Sequence, residues 1–196
     1  MKYEEFLKKK EFSKLELLAV AWGTLVDDPP EGGMGLLPAP PMLMFDRIVD
    51  ISHHGSKGSI VAEQDVYLDQ WFFQCHFRSD PVQPGCLGVD AIWQLIGFYQ
   101  VIRGAKGTGR ALGAKDIEFF GQIRPHNRLV RYEVDIRRYI ELPAKNSTLV
   151  VGDGRVLVDG ELIYTVKDAK AGVFRGISYP DYPHRSANSV GGQIKR

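Results

Sequence analysis

The stretch from Gly85 to Arg103 constrains this chain more than any other. Its Leu87, Val89, Ile92, Trp93, Leu95, Ile96, Phe98, Tyr99, Val101 and Ile102 are spread around most of a helical circumference instead of forming one stripe. A helix that is apolar on nearly every side has to be enclosed. Asp90, Gln94 and Gln100 interrupt it, and it falls short of the ~20 apolar residues a bilayer span needs, so a transmembrane reading is excluded and the fold itself must enclose it. The flanking sequence supplies the enclosure as short β-rich runs at residues 42–51 and 58–66 before the helix and 110–120, 129–140, 148–158 and 162–174 after it. Six strands of this kind fit an α+β architecture, with one antiparallel sheet wrapped around a long central helix.

Punctuation along the chain divides it. Residues 3–22 carry Phe6, Leu7, Phe12, Leu15, Leu17, Leu18, Val20, Ala21 and Trp22 among lysines and glutamates, which predicts an amphipathic helix lying on the domain. Pro and Gly between Asp28 and Pro41 make a connector. Asp159-Gly160 predicts a tight hairpin, because a type I′ turn needs positive φ at both central residues; Asp153-Gly154 fits either a second turn or a bulge. The expected organisation is an N-terminal helix and connector over residues 1–36, a domain over 37–175, and a tail over 176–196. That tail is too poor in apolar surface to offset its own ordering, so it is expected to be mobile or to reach a partner subunit.

Charge balance narrows the partners: 25 Lys and Arg stand against 24 Asp and Glu, so neither nucleic acid nor an anionic membrane is favoured globally. An acidic partner would need a local patch. Two cysteines, Cys75 and Cys86, are too few for a disulfide scaffold, and no signal peptide is evident, so cytoplasmic thiols are expected.

The chemistry concentrates between Trp71 and Gln94. His76 sits among aromatics ahead of a Pro-Val-Gln-Pro-Gly segment that cannot be helical, and Asp90 is the only acid in the apolar helix. A loop followed by a helix can fold back so that the two approach one cavity. Asp90, surrounded by Leu87, Val89, Ile92 and Trp93, is costly to ionise, which suits a proton donor, whereas the helix N-terminus favours its charged form. The plain alternatives are a carboxylate that caps a turn or pairs with an arginine, and a hydrogen-bonded core histidine. Pro84-Gly85 opens the helix, where free N–H groups can hold a developing oxyanion and a glycine lets a carbonyl approach. Cys86, at the same helix start, leaves a Cys/His nucleophile as a competitor to a thiol packed under the loop, and Cys75 is read as packed in the same way. His53-His54 lack a further spaced ligand, so no metal site is expected. The glycines between Gly104 and Gly109 follow a helix and precede a strand, the reverse of a phosphate-binding loop, and read as a helix-ending turn.

On these residues the chain resembles the β-hydroxydecanoyl thioester dehydratase/isomerase family of bacterial type II fatty acid synthesis. The resemblance covers about residues 37–174. It includes Pro38-Ala-Pro-Pro-Met-Leu-Met-Phe-Asp-Arg47, Trp71-Phe-Phe-Gln-Cys-His-Phe77, the run from Asp80 to Tyr99, Gly109-Arg-Ala-Leu-Gly113 and Val156-Leu-Val-Asp-Gly160. It implies a hot-dog fold and a homodimer whose interface tunnel is built with His76 of one subunit and Asp90 of the other. It further implies that the Gly85 N–H polarises the thioester carbonyl and the Val82 carbonyl orients the imidazole. The implied activity is dehydration of 3-hydroxyacyl-[acyl-carrier-protein] to the trans-2-enoyl form, with trans-2 to cis-3 isomerisation favoured by Asp90 where the sister family carries Glu. No cofactor is required, since no electrons change hands. The acidic carrier protein is expected at Arg137, Arg138 and Lys145. Gln83 departs from the apolar residue common at its position, and Arg78-Ser79 from a less charged pair, which leaves acyl preference open. A hot-dog acyl thioesterase and a non-catalytic acyl-carrier binding protein are the alternatives.

Overall fold

The structure, a computed structural model, describes residues 1–192 and, at Lys145, the backbone alone. Its N-terminus has two helix starts where one was expected. α1 (Tyr3–Lys8) ends at Lys9, and α2 (Lys14–Ala21) starts afresh behind Ser13, whose hydroxyl accepts from the Glu16 N–H while the Glu16 carboxylate accepts from the Ser13 N–H at 2.9 Å. Between them Phe12 is extended and exchanges backbone hydrogen bonds with Ile48 at 2.9 and 3.0 Å. This pairing is what breaks the helix expected over residues 3–22. It also turns the Phe12 ring edge-on to Phe98, with centroids 5.0 Å apart, so the N-terminal segment shares the main core.

β1 (Arg47–His54) and β2 (Lys57–Asp65) form the first hairpin. β1 starts later than residue 42, because Pro40 and Pro41 lack N–H donors and the Met44 N–H is taken by the Gln94 side chain at 3.2 Å. A short helix that the sequence pattern did not signal, α3 (Trp71–Cys75), precedes α4 (Gly85–Ile102). The strand expected over 110–120 is two, β3 (Thr108–Gly113) and β4 (Asp116–Phe119). Both pair with β7 (Glu161–Phe174), and the register shifts between Ala111 and Gly113. β5 (Leu129–Leu142) and β6 (Ser147–Val158) complete one antiparallel sheet in the order β1-β2-β5-β6-β7-β3. Asp159 and Gly160 join β6 to β7 with φ of 50° and 92°, the positive values a type I′ turn demands.

The sheet wraps around α4, whose Ala91, Ile92, Leu95, Ile96 and Tyr99 have no exposed surface. By length and composition α4 could cross a membrane, but 72% of it is buried inside the fold. Asp153-Gly154 is a bulge, not a turn: register shifts at Ile136/Arg138 and at Gly152/Gly154 fall side by side. Arg137 fills that irregularity by pairing with Asp153 at 3.1 Å and with Asp168. In the tail, Ser178 and Val190 exchange backbone hydrogen bonds at 2.9 and 2.8 Å and close a loop; residues 193–196 lie outside the described residues.

Candidate active site

His76 is held at the end of a helix anchored from inside. Phe72 and Phe73 of α3 are buried, and the His76 N–H donates to the Phe72 carbonyl at 3.0 Å. Its ring stacks on Phe77 at 3.9 Å, and Nδ1 lies 2.9 Å from the Val82 carbonyl oxygen. A carbonyl oxygen only accepts, so Nδ1 carries the proton and Nε2 keeps a lone pair in the neutral ring. The loop supplying that carbonyl is itself pinned. Asp80 pairs with Arg124 at 2.6 Å, and the Gln83 N–H donates to Ile123 O at 3.0 Å.

Pro84 ends this loop and starts α4. The first N–H groups of a helix have no partner within it and carry its partial positive charge. Gly85 presents that end without a side chain: a Cβ there would lie 2.6 Å from Phe119 Cε1. His76, Val82, Gly85, Cys86, Phe119 and Tyr164 line a cavity of about 770 Å³. Tyr164 lies on α4 at Gly88, where a Cβ would come within 2.6 Å of its Cε2. Burial, reinforced by the nearby Cys86, pushes its phenol up to about 12, so it stays uncharged near neutrality.

Asp90 faces elsewhere. With Pro38, Met42, Gln94 and Arg110 it lines a second cavity of about 450 Å³. The idea that loop and helix fold back to place His76 and Asp90 in one cavity of one chain is therefore corrected. The reason is helical phase. Gly85, Val89 and Trp93 recur at four-residue steps on one face, whereas Asp90, Gln94, Gly97 and Val101 lie on the next. Among these α4 residues, Trp93 alone borders both spaces.

Gln94 was not singled out from the sequence, although its place one turn beyond Asp90 was a usable signal. Its Nε2 donates to Asp90 Oδ2 at 2.5 Å and to Met42 O at 2.7 Å. Tyr164 was also missed, because it arrives from β7. The reading of Cys75 and Cys86 as thiols packed under the loop is corrected, since both are exposed and unpaired. Arg137 is engaged by two carboxylates, Arg138 is exposed, and the Lys145 side chain lies outside the described residues.

Comparison with solved structures finds the hot-dog fold. The dehydratase heterocomplex ApeI:P from Xenorhabdus doucetiae is 12% identical with a TM-score of 0.50, the match covering 70% of this chain and 85% of that one. The E. coli PaaI protein from the phenylacetic acid degradation operon is 11% identical with a TM-score of 0.49, covering 68% and 81%. At 12% identity the likeness to the heterocomplex is one of fold. A profile of the FabA-like domain matches residues 37–167, more than half of the sequence. With its seven-stranded antiparallel sheet closed around α4, the chain belongs to the FabA-like domain family.

Proposed function

We propose that this chain dehydrates 3-hydroxyacyl thioesters carried on an acyl carrier protein and also moves the resulting double bond from trans-2 to cis-3. The observation that carries the reading is the His76 Nδ1 to Val82 carbonyl contact of 2.9 Å, which leaves Nε2 as a base in a largely apolar cavity beside a helix N-terminus. In the proposed reaction Nε2 takes a proton from C2 while the Gly85 N–H and the end of α4 hold the charge growing on the thioester oxygen. Asp90 of the partner subunit gives a proton to the 3-hydroxyl, the C3–O bond breaks, water leaves, and C2=C3 forms. For isomerisation the same imidazole takes a proton from C4 and returns one to C2. Neither step moves electrons to an acceptor, so no cofactor enters.

A homodimer is part of the proposal because one chain holds His76 and Asp90 in different cavities. Ile117 and Phe119 leave apolar surface exposed at the rim of the His76 cavity, available to a second copy. The carrier protein is assigned to the face around Arg137, Arg138 and Lys145. The two exposed thiols suit the cytoplasm.

The test is incubation with a 3-hydroxydecanoyl thioester. An enoyl product absorbing in the ultraviolet supports elimination, free thiol marks a thioesterase, and binding without turnover marks a carrier-binding protein. His76→Asn and Asp90→Asn are each expected to lower the rate by roughly 10²–10⁴-fold while leaving the protein folded. Unaltered rates overturn the assignment.

A further inference from the structure

The segment from Phe77 to Gln83 carries the Val82 carbonyl that holds His76, yet it has no helix or strand of its own. Among the described residues one backbone hydrogen bond ties it across to another segment, from the Gln83 N–H to the Ile123 carbonyl at 3.0 Å. A second tie comes from a side chain. Arg124 Nη1 donates to Asp80 Oδ1 at 2.6 Å and approaches the Pro81 carbonyl at 3.5 Å, while its Nη2 donates to Gln122 Oε1 at 2.7 Å. Asp80 and Gln122 both line the His76 cavity, so the guanidinium joins two separate parts of its lining. The Pro81 carbonyl it approaches is one peptide unit ahead of the Val82 carbonyl.

Arg124 is itself anchored to the sheet. Its N–H donates to Asn127 Oδ1 at 2.7 Å, and Asn127 Nδ2 donates to Asp159 Oδ2 at 3.0 Å. Asp159 belongs to the β6–β7 turn, and its other carboxylate oxygen accepts the N–H groups of Arg128 and Leu129, each at 3.0 Å. A chain of contacts therefore runs from the turn between two long strands to the residue beside Val82. Asp80 is exposed, and an exposed ion pair adds little to stability. What a planar guanidinium with several acceptors does supply is a fixed position, which a single point charge does not.

We propose that Arg124 is a positioning residue: anchored on the β6–β7 turn, it fixes Asp80 and Pro81 so that the Val82 carbonyl stays on His76 Nδ1 and the lone pair stays on Nε2. This rests on the reading of Nε2 as the base of a thioester dehydratase. When the Val82 carbonyl drifts, Nδ1 loses its acceptor and the neutral imidazole divides between its two tautomers. One of them presents an N–H to C2 where the other presents a lone pair. The loss then falls on proton transfer, and so on kcat more than on KM.

The experiment compares wild type with Arg124→Met, which keeps an apolar stem and removes the donors, and with Arg124→Lys. One readout is kcat and KM on the N-acetylcysteamine thioester of 3-hydroxydecanoic acid. The other is nitrogen NMR of histidine-labelled protein at a pH where the imidazole is neutral, with His76 identified by its loss in His76→Asn. In wild type, His76 is expected to carry its proton on Nδ1 alone. In Arg124→Met it is expected to become a mixture of tautomers, with kcat lowered about tenfold and KM changed less, since small misplacements cost large factors. Arg124→Lys, which keeps a charge facing Asp80, is expected to recover part of both. A merely structural pair would change Tm and leave the tautomer and kcat as they are, and that result overturns the proposal. So does a lowered kcat with the tautomer unchanged, which would put Arg124 in contact with the substrate. If wild type eliminates nothing but the tautomer still shifts in Arg124→Met, the positioning role stands and the dehydratase reading falls. If the tautomer shifts and kcat does not, the role again stands and His76 is not the base. Should Arg124→Met fail to fold, Asp80→Asn, which removes the charge paired with Arg124, is judged by the same two readouts.

Discussion

Gln94 donates its side-chain Nε2 to Asp90 Oδ2 at 2.5 Å from one turn further along α4, and the same nitrogen donates to the Met42 carbonyl at 2.7 Å. Its Oε1 accepts the Met44 N–H at 3.2 Å, so one side chain ties the acid to the Met42–Met44 segment that leads into β1. Orientation of a reacting group is worth large factors, since a misplacement of about 1 Å can cost about a hundredfold. Gln94→Leu is therefore expected to lower kcat by about that factor with a smaller change in KM, and Gln94→Asn to recover part of the loss. A loss confined to Tm, with kcat intact, would make Gln94 a packing residue.

Subunit mixing tests the shared site. His76→Asn and Asp90→Asn homodimers are each expected to be inactive, and reassortment at equal concentrations should give half heterodimers with one intact site of two, or about a quarter of wild-type activity. Mixtures that stay inactive after demonstrated exchange would show that the two residues do not cooperate across chains.

Gly88 is set against Tyr164, which is 2% exposed and packs edge-on against Phe119 with ring centroids 4.7 Å apart. Alanine there would gain about 1 kcal/mol of helix propensity but would meet the ring at 2.6 Å, an overpacking that costs about 1–3 kcal/mol. Thermal unfolding of Gly88→Ala is expected to show a net loss of up to about 2 kcal/mol. A raised Tm would show that the β7 wall of the cavity yields.

Acid should unfold the protein partly through Asp65. The Arg47 guanidinium holds that carboxylate through two hydrogen bonds, at 2.8 and 2.9 Å, and keeps its pKa below the ordinary range despite some burial. A pKa lowered on folding adds stability that is complete above the unfolded value, about 4, and is lost as pH falls through the depressed one. Wild-type Tm is expected to fall below about pH 4, while Asp65→Asn should be less stable at neutral pH and should change less in acid, so that the two curves converge. Parallel curves would exclude the pair as an acid-sensitive contact.

Much of the architecture was legible because it rests on local rules. The all-round apolar pattern of Gly85–Ile102 demanded enclosure, and α4 lies inside the sheet. Asp159-Gly160 demanded positive φ, and the turn has it. Where the reading failed, a distant partner had intervened. Ile48 captured the backbone of Phe12 and split the N-terminal helix, and β7 took the 110–120 segment as two strands with a register shift.

The sequence alone determined which groups the cavities could contain: an imidazole set among aromatics, a proline-glycine helix start, and one acid within an apolar helix. Only the tertiary structure decided how they are shared out. The α4 repeat turns Asp90 away from His76, β5 and β2 bury Tyr132 and Gln64 behind Gln83, and β7 brings Tyr164 to the wall. Spacing along one helix or turn is set by covalent geometry and can be counted. Which strands close over it depends on contacts between segments far apart in the chain, and those form only when the whole sheet packs.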